Sequence, residues 1–151
     1  MLVGFLYDRR HTRRISDFGG IKKSMPLYAS IFLFTSFASI GLPGLNGFVG
    51  EFMILMGSFP TFQILSSIAA FGVVLAAIYM LWAYQRIFNG QLNNEENAVL
   101  TDLNSKEILA VGPLLVLMLF IGIYPSFIES YVVKDVSVIF EAINIYTEVS
   151  K

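Results

Sequence analysis

From Ser24 to Gln85 this 151-residue chain carries a single charged side chain, that of Glu51. A second run without charge covers 108–128. Runs of about 20 apolar residues are what a bilayer-spanning helix requires. Composition agrees: soluble domains are roughly a quarter charged, whereas this chain is 14% charged and 56% hydrophobic, with a mean hydropathy of +0.69. The chain therefore reads as an all-α integral membrane protein.

The absence of cysteine excludes a disulfide framework, a thiolate-bound cluster and a cysteine nucleophile. One histidine, His11, leaves no histidine-based metal site. The short apolar start at 1–6 is followed, not preceded, by basic residues, which is the wrong order for a signal peptide. It reads as the end of a preceding helix, and so the chain as a C-terminal fragment of something larger.

The spans follow from the apolar runs. A basic loop occupies 7–25. The first span runs over 26–59, opening on Pro26, a residue suited to the first turn of a helix. A continuous helix of that length would reach about 50 Å, against a hydrocarbon core of about 30 Å. Gly41-Leu42-Pro43-Gly44 can interrupt it, because proline lacks the amide donor and glycine accepts the dihedrals of a break. Two half-helices are expected, over 27–40 and 46–58, with Asn46 as N-cap of the second.

A second span covers 62–88, with Tyr79, Trp82 and Tyr84 as an interfacial belt and Arg86 able to snorkel. A polar loop follows at 89–106 and a third span at 107–127, containing Pro113. The tail, 128–151, spaces Tyr131, Val132, Ile139, Ile143, Tyr146 and Val149 as an amphipathic helix lying at the interface would. Six of the ten lysines and arginines (Arg9, Arg10, Arg13, Arg14, Lys22 and Lys23) fall in the first 23 positions. Basic loops face the cytoplasm, so 7–25 and 89–106 are expected inside, and the turn at Pro60 and the tail outside.

Glu51 is the leading candidate for chemistry. A carboxyl at membrane depth costs about 2.5 kcal/mol or more, and is retained where it faces a cavity, a partner or a proton path. Gly44, Gly47, Glu51 and Ile54 share one helical stripe, and the glycines leave room beside the carboxyl. Broken helices expose backbone carbonyls and amides at depth, and transporters use them to bind ions. The candidate site is therefore Glu51, in proton transfer, with Gly41, Pro43, Gly44 and Gly47 as the lining of the break. A structural carboxyl bonded to a neighbouring helix is the alternative for Glu51. Asp17-Phe18-Gly19 spells the metal-binding triplet of protein kinases, but the glycine-rich loop, the catalytic-loop motif and the chain length of a kinase are missing. The arginine cluster beside membrane spans is a topology determinant rather than a nucleic-acid site.

The stretches YDRRHTRRISDFGGIKKSMP and SIGLPGLNGFVGEFMILMGSF, followed by YMLWAYQRIFNG and GIYP, resemble the C-terminal third of the subunit M type of antiporter-like subunit in bacterial NADH:quinone oxidoreductase, respiratory complex I, whose mitochondrial counterpart is subunit 4. The resemblance implies a fold of about 14 helices built on two inverted repeats with broken helices, of which this chain holds the second break. It implies that Glu51 is the acidic residue ending a hydrophilic axis, where the related L and N subunits and the antiporter subunits generally place lysine. It further implies a multi-pass protein of the bacterial inner membrane with the L- and N-type subunits and the lipid bilayer as partners. NAD, FMN, iron–sulfur clusters and quinone are expected in other subunits, and no cofactor, metal or nucleic acid in this one. Two other readings stay open: a subunit of a multisubunit cation/proton antiporter, and a non-transporting remnant.

Overall fold

The computed structural model describes residues 1–149 except Asn93, and not the side chains of 134, 135 and 140–149. Every regular element among the described residues is helical: α1 (Leu2–Arg10), α2 (Pro26–Ser39), α3 (Asn46–Ser58), α4 (Gln63–Phe88), α5 (Glu95–Ala98), α6 (Ser105–Ile123) and α7 (Ser126–Val149). Single 3₁₀ turns lie at Ile15–Asp17 and Ile21–Lys23.

The long apolar first segment is interrupted between Ser39 and Asn46. Its halves, α2 of 14 residues and α3 of 13, rise about 21 and 20 Å. Each alone is shorter than a hydrocarbon core of about 30 Å. Among the described residues two helices, α4 and α6, are long and apolar enough to cross a membrane. Their outward faces are bare: Ile64, Ile68 and Phe71 of α4 are 78, 64 and 69% exposed.

A compact core forms at one end, where Leu6, Ile21, Met25, Tyr28, Ala29, Tyr84, Phe88 and Leu103 are buried together. Phe88 centres an aromatic cluster, with ring centroids 5.7 Å from Tyr28, 5.0 Å from Phe32 and 4.7 Å from Tyr84. Tyr84 therefore belongs to this core and not to an outward belt, because its ring stacks on Phe88 one turn along. Tyr79 and Trp82 are exposed, and Arg86 folds back over the Trp82 ring at 4.1 Å.

The basic loop is not free. Helix α1 continues to Arg10, four residues beyond the expected stub, and ends on His11 in the left-handed conformation, whose N–H donates to the Tyr7 carbonyl. Arg9 then forks onto Glu107 at 2.7 and 2.8 Å and donates to the carbonyls of Phe5, Thr101 and Asp102. That fork holds the Arg9 guanidinium protonated even more firmly than usual. Arg10 pairs with Glu96 and donates to Asn97, while the Asn97 amide donates to the Asp17 carbonyl. Thr12 and Ser16 hydroxyls hold the Asp17 carboxyl below its ordinary range. Gly20, with φ +64°, lets the two loops meet backbone to backbone: its N–H donates to the Asn89 carbonyl, and a Cβ there would lie 2.9 Å from the Leu92 nitrogen.

The same polar loop starts two helices. Asp102 accepts from the N–H groups of Leu27 and Tyr28, capping α2 from 75 residues away. Asn104 and Glu107 form a capping box at the head of α6. At its far end α6 stops at Ile123, immediately before Tyr124-Pro125, because proline disfavours helical backbone in the residue before it. Helix α7 covers most of the expected tail. The side chains of Ile143, Tyr146 and Val149, expected on its apolar face, lie outside the described residues, as do Ser150 and Lys151.

Candidate functional site: a carboxyl over a helix break

The break is a double turn. The Ile40 N–H still donates to Ser36, but the Leu42 N–H reaches back to the Phe37 carbonyl, and the Leu45 N–H closes a turn onto Leu42. Gly41 and Gly44 take φ values of +71° and +92°, a region that costs an L-residue about 1–2 kcal/mol. Pro43, between them, is exposed. Leu45, extended at φ −116° and ψ 157°, precedes the first helical residue.

Leu45, not Asn46, is thus the N-cap of α3. The extended backbone that a cap needs follows directly on the turn at Gly44, so Asn46 is already helical and no side chain caps this end. The Asn46 Oδ1 is buried without a hydrogen-bond partner among the described residues.

Gly47 and Glu51, one turn apart on α3, face back onto the end of α2. A Cβ on Gly47 would overlap the Ala38 carbonyl oxygen and lie 3.6 Å from the Gly41 Cα. A Cβ on Gly41 would overlap Oε2 of Glu51 and lie 3.1 Å from its Cδ. The carboxyl therefore rests on the bare backbone of the first turn of the break. Among the described residues it has no hydrogen-bond or ion-pair partner.

Gly41, Gly47 and Glu51 lie together at the break, although the spacing had put Gly44, and not Gly41, on the stripe of Glu51. Gly44 does not join them: no atom lies within 4 Å of a Cβ built on it, and its carbonyl is turned toward Gly122 of α6. Ile54, further along the stripe, is 71% exposed. The room beside the carboxyl thus comes from Gly41. Gly122 is a participant that the periodicity did not single out, since nothing local marks it; its only signal is a glycine in the last turn of an apolar span.

Chemically, the arrangement offers one half-buried carboxyl set on an irregular, glycine-bared turn. Among the described residues no three His, Cys, Asp or Glu side chains converge as a metal site would need.

Residues 1–78 match the model of the NADH:quinone oxidoreductase/Mrp antiporter transmembrane family. The chain belongs to that family. Within it, the chain is 40% identical over 137 residues to NADH-quinone oxidoreductase subunit M of Rhodobacter capsulatus, covering 91% of this chain and 27% of that protein. It is 39% identical over 126 residues to the protein of the same name from Mycobacterium tuberculosis strain H37Rv, covering 83% and 23%. The fold is similar to a chain of respiratory complex I from Thermus thermophilus with bound NADH, with a TM-score of 0.75 and 34% identity over 83% of this chain and 26% of that one. The oxidoreductase/antiporter match covers both break and carboxyl, and the chain spans about a quarter of the length of these relatives.

Proposed function

We propose that this chain is the part of a proton-translocating membrane-arm subunit of respiratory NADH:quinone oxidoreductase that carries the second helix break, and that Glu51 transfers protons there. The single observation that carries the reading is the carboxyl of Glu51 seated on the left-handed turn at Gly41, within the segment matched by the family. Relatives named as subunit M of the oxidoreductase favour this reading over a redox-independent antiporter subunit. The family description spans both activities, so the antiporter remains the second reading, and glutamate rather than lysine at position 51 weighs against it.

In this reading α2 and α3 together make one crossing, α4 the second and α6 the third, in a multi-pass protein of the bacterial inner membrane. The docking of 7–25 on 89–106 supports this threading, since two crossings between the loops return the chain to the same side. The apolar faces of α4 and α6 meet lipid and the L- and N-type neighbouring subunits, and α7 lies along the interface. NADH oxidation, with FMN, iron–sulfur clusters and quinone, belongs to other subunits, and its energy reaches Glu51 through the remainder of the hydrophilic axis.

Glu51→Gln in the complete complex, reconstituted in vesicles, is expected to lower NADH-driven proton translocation severalfold, with electron entry from NADH to a water-soluble acceptor unchanged. Unaltered proton-to-electron stoichiometry and turnover would defeat the role of Glu51.

A further inference from the structure

We infer that Gly122 is a positioning residue for Glu51: it seats the end of α6 on the backbone of the helix break and so sets the turn on which the carboxyl rests. A Cβ built on Gly122 would overlap the Gly44 carbonyl oxygen and the Leu45 Cα and lie 2.5 Å from the Gly44 carbonyl carbon. All three are main-chain atoms, so no rotamer change relieves the overlap; either α6 or the break must move. The break cannot move alone. Gly47 is packed as tightly on the Ala38 carbonyl, and Glu51 lies on Gly41, so the turn is held from α3 and α6 together.

The register of this contact is built in from the other end. Asp102 fixes the start of α2, and Asn104 and Glu107 fix the start of α6 within the same few residues. The 14 residues of α2 rise about 21 Å to the break, and the run from Ser105 to Gly122 rises about 27 Å. The two therefore end within about 6 Å of the same level, and the break beyond Ser39 spans the difference. Tyr124-Pro125 ends α6 there, so the last turn, which carries Gly122, is the one that docks.

The inference rests on the proposed proton-transfer role of Glu51, and its test separates the two. In the complete complex, the infrared carboxyl stretch of Glu51 is assigned by its loss in Glu51→Gln. Gly122→Ala is expected to shift that band and to lower proton translocation per electron. Gly112→Ala, on the same helix with open space around its Cβ, is expected to do neither. Unchanged band and stoichiometry in an assembled Gly122→Ala complex would overturn the positioning role. If Glu51→Gln pumps normally, the functional reading fails, while a band shift in Gly122→Ala still supports the positioning. Should Gly122→Ala not assemble, solid-state NMR on the native complex decides. A dipolar coupling between the Gly44 carbonyl carbon and the Gly122 Cα, which lie at most about 4 Å apart when a carbon–carbon bond length is added to the gap, supports the contact, and its absence overturns it.

Discussion

Replacing Gly41 by valine in the complete subunit is expected to prevent a stable complex from accumulating in the membrane. Two independent costs combine. The φ of +71° costs a residue with a Cβ about 1–2 kcal/mol, and a β-branched residue is a marked outlier there. The new atoms would also occupy the place of the Glu51 carboxyl, and such overpacking costs about 1–3 kcal/mol more. The sum is a large share of a net stability of about 5–15 kcal/mol. Gly44→Ala separates the two costs: its φ is +92° but no atom lies within 4 Å of its Cβ, so it meets only the backbone strain. Native gel electrophoresis of membranes should show loss of the complex for Gly41→Val and much milder loss for Gly44→Ala. Equal accumulation of both would show that the carboxyl does not rest on Gly41.

The second large effect belongs to Arg9. Its guanidinium and the Glu107 carboxylate are both mostly buried, with 16 and 15% of their side chains exposed, and Arg9 also holds three carbonyls. Arg9→Ala leaves Glu107 without its counter-charge and should cost about 2–3 kcal/mol. The loss is local, so hydrogen exchange is the measure: the amides of Leu27, Tyr28 and Glu107 should exchange about 30- to 150-fold faster. Arg9→Lys keeps the charge but not the two-pronged geometry, and should restore less than half of the protection. Unchanged exchange in Arg9→Ala would mean that the loops are held by the core beneath them and not by this pair.

The break was legible because its causes are local. A proline between two positive-φ glycines, in a run too long for a bilayer, leaves few alternatives, and the half-helices fall within a residue of their expected limits. That Glu51 and Gly47 share a face of α3 follows from helical spacing, but the seating of the carboxyl on Gly41 joins two elements and does not. Asn46 shows where local reasoning stopped: its side chain suits a cap, but the turn at Gly44 delivers the extended backbone to Leu45 first. Tyr84 was misassigned because a tyrosine near a helix end suits an interface and a core equally well, and only Tyr28 and Phe88 decide between them. Gly122 and the Asp102 cap join residues more than seventy positions apart, and no pattern along the chain announces such pairs. The arginine cluster was read by its charge alone, while its geometry serves a fold between two loops.

That fold between loops bears on how the protein is made. Arg9 and Glu107 stand 98 positions apart, so in a chain threaded into a bilayer during synthesis their pairing waits until every intervening span has been inserted. The pairing also demands that both loops emerge into the same aqueous compartment. On the proposed threading, one missing or inverted crossing would leave Arg9 and Glu107 on opposite sides, and Asp102 out of reach of the head of α2. The loop dock thus closes last, after the chain between its two halves has been made and threaded.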